Sequence, residues 1–389
     1  MTDAATNPLL VPSPLPYRLP PYELIRPEHY LPAFQAAFEE HRREVAAISL
    51  ARSAPTFENT IVRLEEAGAL LETVAHAFYT VSSADATDEI QQIEEQLAPL
   101  MAAHEDAIQL DTQLYLRISS VYERRGELDL DAEQRYLLER RYREMTHAGA
   151  GLDDDAKTAL TELNQRLSTL TTTFEKNLLA DTNDLAVHFA DAQELTGLTD
   201  GELSAAAQAA ADRGLKGGYL ITLTLFTGHP ALSALTDRAS RERIMTASRA
   251  RASRGNANDN SGVLREIVRL RAERAALLGY PNHAAYVTSD ETAGSPEAVS
   301  ELLHRLAGPA ARNASREQAA LQRQVDAEPE PFPLAAHDWA LYTERERVAR
   351  YDVDTAALRP WFEAERVLQD GVFYAAHRLY GVSFTERTD

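Results

Sequence analysis

The 389 residues contain no cysteine and carry a formal net charge of -21, with 44% hydrophobic and 25% charged side chains. Disulfides, thiolate catalysis and cysteine-based zinc or iron–sulfur sites are therefore excluded, and the negative charge opposes binding to nucleic acid or anionic lipid. The length suits about two to three structural units of ordinary domain size.

The stretch "MTDAATNPLLVPSPLPYRLPPYEL" lacks a basic start and is broken by prolines, so it does not read as a signal peptide. It is expected to be an extended arm, packed on the surface or loose. No apolar run approaches the roughly 18–20 residues a membrane span needs. A cytoplasmic location is expected, with neither membrane nor nucleic acid as a partner.

Long helices follow. "HYLPAFQAAFEEHRREVAAIS" places Leu31, Phe34, Ala37, Phe38 and Val45 at helical spacing. In "TFENTIVRLEEAGALLETVAHAFYTV", Thr56 is placed to cap, and Ile61, Leu64, Leu71, Val74 and Phe78 form an apolar stripe. The pattern continues from about Thr87 to Arg125 and from Asp131 to His147, where Asp131 and Gln134 have the spacing of a capping box.

"HAGAGLDDD" (His147 to Asp155) ends one helix with glycines and opens the next with aspartates, and is the first expected boundary. A helix is expected from Asp155 to Leu179. "DLAVHF" and "GYLITLTLF" read as strands that can pair, separated by a helix from Leu203 to Arg213. From Asp237 the chain is helical again. "NANDNSGVLREIVRLRAERAALLGY" opens on an Asn/Asp cluster and stops at Gly279, with Leu264, Ile267, Val268, Ala275 and Leu278 on one face. Ser295 with Pro296 is a strong helix start, and the Pro-rich stretch Asp326 to Trp339 is the second expected boundary. Two more helices lead into "LYGVSF", where a short strand is expected. No fixed-period repeat is present, so a solenoid is disfavoured.

No local motif assembles a catalytic site. A helix-borne zinc hydrolase needs HExxH, in which one turn aims two imidazoles at one metal. "HEDAI" begins at His104 but has Ile108 where the second histidine must stand, and no two of the 11 histidines lie within one helical turn. A polar helix face is the simpler reading. The pairs Glu144/His147 and Glu301/His304 have the spacing of half a di-iron set, which requires glutamates from two further helices. Chance suffices for such pairs in a glutamate-rich chain. His147 also sits at a helix C-terminus, where a histidine needs no metal. "NANDN" (Asn256 to Asn260) lacks the glycine and final glutamate of a calcium loop and reads as helix capping. "KGGY" and "AGAG" lack the Gly-Lys-Ser/Thr of a phosphate loop, and no Gly-x-Ser-x-Gly elbow exists.

Several stretches together resemble the thimet oligopeptidase (neurolysin) family of zinc metallopeptidases, most closely its bacterial peptidyl-dipeptidase branch. They are "PTFENTIVRLEEAGALL", then "DRASRERIMTASRARASRGNANDN" followed by "REIVRLRAERAALLGYPNHAAY", then "SPEAVSELLHRLAGPA". The long stretch from His337 to Phe384 completes the set in the expected order. The resemblance implies a mainly α, neurolysin-like clam-shell of two helical lobes around a channel for short peptides, with a small β element near 185–226.

The resemblance also implies how the lobes are interleaved. Residues 1–150 would start the lobe that in the family also carries zinc, 151–330 would start the second lobe, and 331–389 would return toward the catalytic region. Family chemistry is zinc-assisted hydrolysis releasing C-terminal dipeptides, but every catalytic and zinc position lies beyond Asp389 in the family's order. No catalytic, cofactor or metal residue is therefore carried over, and zinc is expected only in a longer enzyme. The chain is expected to be the N-terminal, non-catalytic portion, cut and not finished at "GVFYAAHRLYGVSFTERTD". Two alternatives are a natural peptide-binding homologue without catalysis and one half of a two-chain enzyme.

Overall fold

The computed structural model describes residues 7–352 and 355–386, with the backbone alone at 225–229 and 355–356. It is mainly helical, with one two-stranded sheet among the described residues. The chain folds as two compact units, each made of two stretches of sequence. Unit 1 joins the stretch ending at Asp181 to Arg251–Leu306, and unit 2 joins Thr182–Ala250 to the stretch from Ala307. The turn at His147 to Asp155 lies inside unit 1, and the Pro-rich stretch Asp326 to Trp339 lies inside unit 2.

Unit 1 begins with the N-terminal arm, which packs. Asn7 is buried, donates to the His29 carbonyl at 2.9 Å and accepts from the Leu9 amide at 3.0 Å. Leu9 and Ile25 join a core with Phe34 and Phe38 of α1 (Pro27–Ser49) and Phe78 of α3 (Ala69–Ala84). Thr56 caps as expected, in a reciprocal box with Asn59, over a short π-type helix Phe57–Val62 that runs into α2 (Arg63–Glu66). The sequence pattern predicts one helix through this region, but the chain bends at Gly68, whose φ of +87° only glycine adopts cheaply.

The expected helix from Thr87 to Arg125 is likewise two, α4 (Asp88–Gln109) and α5 (Thr112–Glu123). Asp111 divides them by capping α5, accepting from the Gln113 and Leu114 amides at 2.7 and 2.9 Å. Its carboxylate satisfies first-turn amides of α5, which at a helix start have no intrahelical acceptor. α6 (Ala132–Ala148) starts on the predicted Asp131/Gln134 box and ends at Gly149. There φ is +103°, and a Cβ would lie 2.9 Å from Leu160 and Leu278.

α7 (Asp154–Asp184) and α11 (Ser261–Leu277) pack through Leu167 and Leu170 against Ile267 and Leu270. That contact corrects part of the predicted α11 stripe: Ile267 and Ala275 are buried as expected, but Leu264 and Val268 are 51% and 59% exposed. The true stripe runs Val263, Ile267, Leu270, which rotates the buried face away from them. The Asn/Asp cluster also differs from a simple cap. Asn260 occupies the N-cap position, but its side chain donates to the Phe174 carbonyl at 2.8 Å, while Asp259 accepts from Ser261. α12 (His283–Thr288) and α13 (Pro296–Asp326) follow, and Ser295 caps α13 as predicted by accepting from Ala298 at 3.2 Å.

In unit 2 the two expected strands do pair. Strands β1 (Val187–Phe189) and β2 (Tyr219–Ile221) are antiparallel, with His188 opposite Leu220. β2 is shorter than predicted because helix α9 (Leu225–Ala234) starts within the apolar run. Between the strands, α8 (Asp200–Asp212) begins on a Thr199/Glu202 capping box and packs on β2. α10 (Arg238–Arg249) and α14 (Trp339–Tyr351) complete this core, with α14 lying on α9. α15 (Thr355–Leu358), α16 (Ala364–Arg366) and α17 (Tyr374–Tyr380) are short. Residues 381–386 form no strand, which corrects the expected strand after α17, and 387–389 lie outside the described residues.

A buried carboxylate closes each unit. In unit 1, Asp181 is fully buried and accepts from the Ala252 amide at 2.6 Å, from Asn256 at 2.8 Å and from Arg254. In unit 2, Asp338 is fully buried and accepts from Arg241 at 2.7 Å, Arg238 at 3.0 Å and the Ala335 amide at 3.0 Å. Burial pushes the Asp338 carboxyl up, but its hydrogen bonds to Arg238 and Arg241 outweigh that and hold it below the ordinary aspartate value. Asp338→Asn, which leaves two guanidiniums uncompensated, is expected to cost about 3–5 kcal/mol in urea unfolding. Glu194→Gln, which breaks the exposed pair with Arg243, is expected to cost under about 1 kcal/mol. Equal effects would refute the asymmetry.

A histidine pair and polar cavity as the candidate functional site

Unit 1 brings together two histidines that are 63 residues apart in sequence, with His104 Nε2 3.0 Å from His41 Nδ1. Each lies on the apolar stripe of its helix. On α1 the stripe runs Phe34, Phe38, His41, Val45, and on α4 it runs Ile90, Ile93, Leu97, His104. His104 is 2% exposed and its ring lies 4.6 Å from that of Phe38. One ring must donate and the other accept, so the contact requires at least one neutral imidazole.

Burial, then the neighbouring His41 and Arg42, lowers the His104 pKa to about 4. His41 is lowered by burial, against the opposing pull of Glu44 and Glu72. Both rings are thus neutral near pH 7, and the pair is an uncharged hydrogen bond between helices.

Beside the pair lies a cavity of about 330 Å³, lined by His41, Glu72, His104, Glu105, Arg141 and Glu144 among others. Arg141 crosses it, bonding Glu144 at 3.0 Å and also pairing with Glu65. Burial raises the pKa of Glu105. The site can exchange a proton and accept or donate hydrogen bonds. It does not meet the needs of a zinc centre, because no group of three His, Asp or Glu side chains among the described residues is placed to hold a metal.

The other expected positions are dispersed. Glu105 and Ile108 follow His104 along α4, as the incomplete motif requires. Glu144 pairs with Arg140 and Arg141, while His147 stacks 4.2 Å from Tyr286 and donates from Nε2 to the Tyr286 carbonyl at 2.9 Å. Glu301 and His304 are exposed on α13, and His304 Nδ1 donates to the Ser300 carbonyl at 2.8 Å. Lys216 to Tyr219 form the turn into β2, and Ala148 to Gly151 form the end of α6. The His41–His104 pair was missed by motif reasoning because its partners sit on different helices. Its signal was a histidine at a stripe position in each.

Residues 231–389 match peptidase family M3. The chain is 38% identical to the dipeptidyl carboxypeptidase of Escherichia coli over 98% of its own length and 56% of that relative. It is 30% identical to the oligopeptidase A of the same organism, over 99% of the chain and 56% of the relative. It is also 26% identical to a probable cytosolic oligopeptidase A of Arabidopsis thaliana, over 97% of the chain and 54% of the relative. The chain spans about half the length of the curated relatives it matches. No helix among the described residues is long and apolar enough to cross a membrane.

The histidine pair gives a signed pH dependence. A buried imidazole with a lowered pKa contributes stability that is fully present above its unfolded value of 6.5 and is lost as pH falls toward about 4. His104→Gln should remove that component. The stability difference between the parent chain and the variant, from urea unfolding at a series of pH values, should shrink between pH 6.5 and 4 by up to about 3 kcal/mol. A difference independent of pH would overturn the assignment.

Proposed function

We propose that this chain forms channel wall and scaffold of a zinc metallopeptidase that acts on short peptides and releases C-terminal dipeptides. The observation that carries this reading is the 38% identity to a dipeptidyl carboxypeptidase along 98% of the chain. The clam-shell arrangement belongs to the proposal, with residues 1–150 in the lobe that also takes the zinc site, 151–330 in the second and 331–389 as the return segment.

Zinc, when bound, supplies Lewis-acid activation of water in this chemistry. Among the described residues, no set fits that group. His104 has its Nε2 turned on His41, Ile108 stands where a second ligand is needed, and no third donor converges among the described residues. The catalytic step is therefore assigned to polypeptide other than these 389 residues, and the chain alone is proposed to be inactive.

The surface of unit 2 supports the same view. Trp361, Phe362, Leu379 and Tyr380 are each more than 65% exposed, and Val372 and Phe384 add to them. Apolar surface of that extent in one stretch usually marks a contact with another polypeptide.

The decisive experiment makes the chain alone and together with a polypeptide corresponding to the unmatched remainder of the Escherichia coli relative. Alone, the chain should bind no stoichiometric zinc and cleave no short peptide. Together, dipeptide release should appear, and binding of an apolar dye to the chain should fall as its exposed surface is covered. Chelator-sensitive cleavage by the purified chain alone would sink the reading, and co-assembly without cleavage would favour a peptide-binding role without catalysis.

A further inference from the structure

The polar cavity of unit 1 holds more negative charge than its own cations compensate. Glu65, Glu72, Glu105 and Glu144 line it, against the guanidinium of Arg141. Arg141 pairs with Glu65 and Glu144, and Arg140 also reaches Glu144, at 2.7 Å. Glu72 on α3 and Glu105 on α4 are left over. Neither carboxylate has an ion pair or a hydrogen bond among the described residues. Arg42 on α1 acts on His104 electrostatically but is not among the lining residues.

Unpaired carboxylates alone describe a solvated surface, but this cavity adds buried acceptors. His104 is 2% exposed, lines the cavity and keeps its buried Nδ1 without a partner. Gln109, further along α4, lines the same cavity, and its buried Oε1 is unpartnered too. The glutamine oxygen is always an acceptor, and His104 Nδ1 is one whenever Nε2 donates to His41. Buried acceptors without a donor are costly, so an incoming N–H group gains free energy there. Both imidazoles are neutral near pH 7 and do not supply the missing positive charge.

The rest of the wall is apolar, with Leu64, Leu71, Met101, Ile108 and Leu114. The volume of about 330 Å³ suits a small molecule. An anion would meet like charge at Glu72 and Glu105, and a hydrated metal ion would leave the apolar wall in contact with water. A primary ammonium carries one positive charge and three N–H donors, as a lysine head does, and a short aliphatic stem covers apolar wall.

We propose that this cavity binds a primary aliphatic amine of about five carbons, with the ammonium held by Glu72, Glu105 and Gln109 and the stem against Leu71, Met101 and Ile108. The site is independent of the scaffold role proposed above. Ligand-observed NMR titration of the 389-residue chain at neutral pH, with n-pentylamine, 1-pentanol and methylamine, tests it.

Pentylamine should bind saturably. Pentanol, which keeps the stem without the charge, should bind about tenfold more weakly or worse, as loss of a charge-assisted contact implies. Methylamine, which keeps the charge without the stem, should also lose about tenfold or more. Glu72→Gln and Glu105→Gln should each weaken pentylamine about tenfold and leave pentanol within about twofold. Neither substitution breaks an ion pair of the structure, so both variants should melt as the parent chain does. Glu301→Gln, on the exposed face of α13 and outside the cavity, should leave the amine within about twofold, which separates the site from general attraction to a chain of net charge -21. No saturable binding of pentylamine, or equal binding of pentanol or methylamine, would overturn the proposal. So would an amine affinity that neither cavity variant changes, or one that Glu301→Gln lowers as much as they do.

Discussion

Each compact unit is assembled from two stretches of sequence, and in each a fully buried aspartate accepts hydrogen bonds from the other stretch. Asp181 holds Ala252, Arg254 and Asn256, 71 to 75 residues later. Asp338 holds Arg238 and Arg241, 100 and 97 residues earlier. Closing loops of that length has an entropic cost that grows only slowly with length, so the contact need not be large, but it must be specific. A buried ion pair is well suited to that task. Its net gain over an apolar contact is small, yet a wrong register would leave the carboxylate without partners. The Arg254 hydrogen bond, then Asn256 and the Ala252 amide, overcome burial and take the Asp181 pKa down to about 2, so its clamp stays ionised through ordinary acid conditions.

Ala252 shows what the clamp costs locally. It has φ of +51°, a left-handed conformation unfavourable to a residue with a Cβ. Its amide is held by Asp181, and its carbonyl accepts from Asn260 at 2.8 Å. Asn260 in turn bonds the Phe174 carbonyl and Asn177, so the whole Asn/Asp-rich stretch is fastened to α7. A cluster whose composition suggests capping is thus mainly a tie between distant segments. Capping motifs are local and could be read from sequence, whereas this tie could not.

That distinction explains what was legible. Thr56 with Asn59, Asp131 with Gln134, and Ser295 before Pro296 each satisfy helix ends within about four residues, and each was found in its predicted place. The breaks at Gly68 and Asp111 were not, because apolar spacing continues across them and only packing decides where a helix stops. Leu264 and Val268 were misplaced on the α11 stripe for the same reason, while Ile267 and Ala275 are buried as expected. The α11 sequence offers two apolar faces, and α7 selects the one with Val263, Ile267 and Leu270. The histidine pair needed a non-local contact too, although a histidine on each of two apolar stripes was visible in advance.

The incomplete zinc motif at His104 carries the functional argument further than its absence alone. His104 occupies a core position beside the cavity, where burial disfavours a charged ring and its Nε2 is engaged by His41. A residue committed to joining α1 and α4 in this way is shaped by packing constraints, not by metal chemistry. The polar cavity is better understood as a seam between two apolar clusters of unit 1, one around Phe34 and Phe78 and one around Ile61 and Ile118. Arg141, Glu65 and Glu144 fill that seam with charge that can be paired in place. Such a seam fixes the relation of the two clusters through paired charge, where an apolar contact would leave their register less specific.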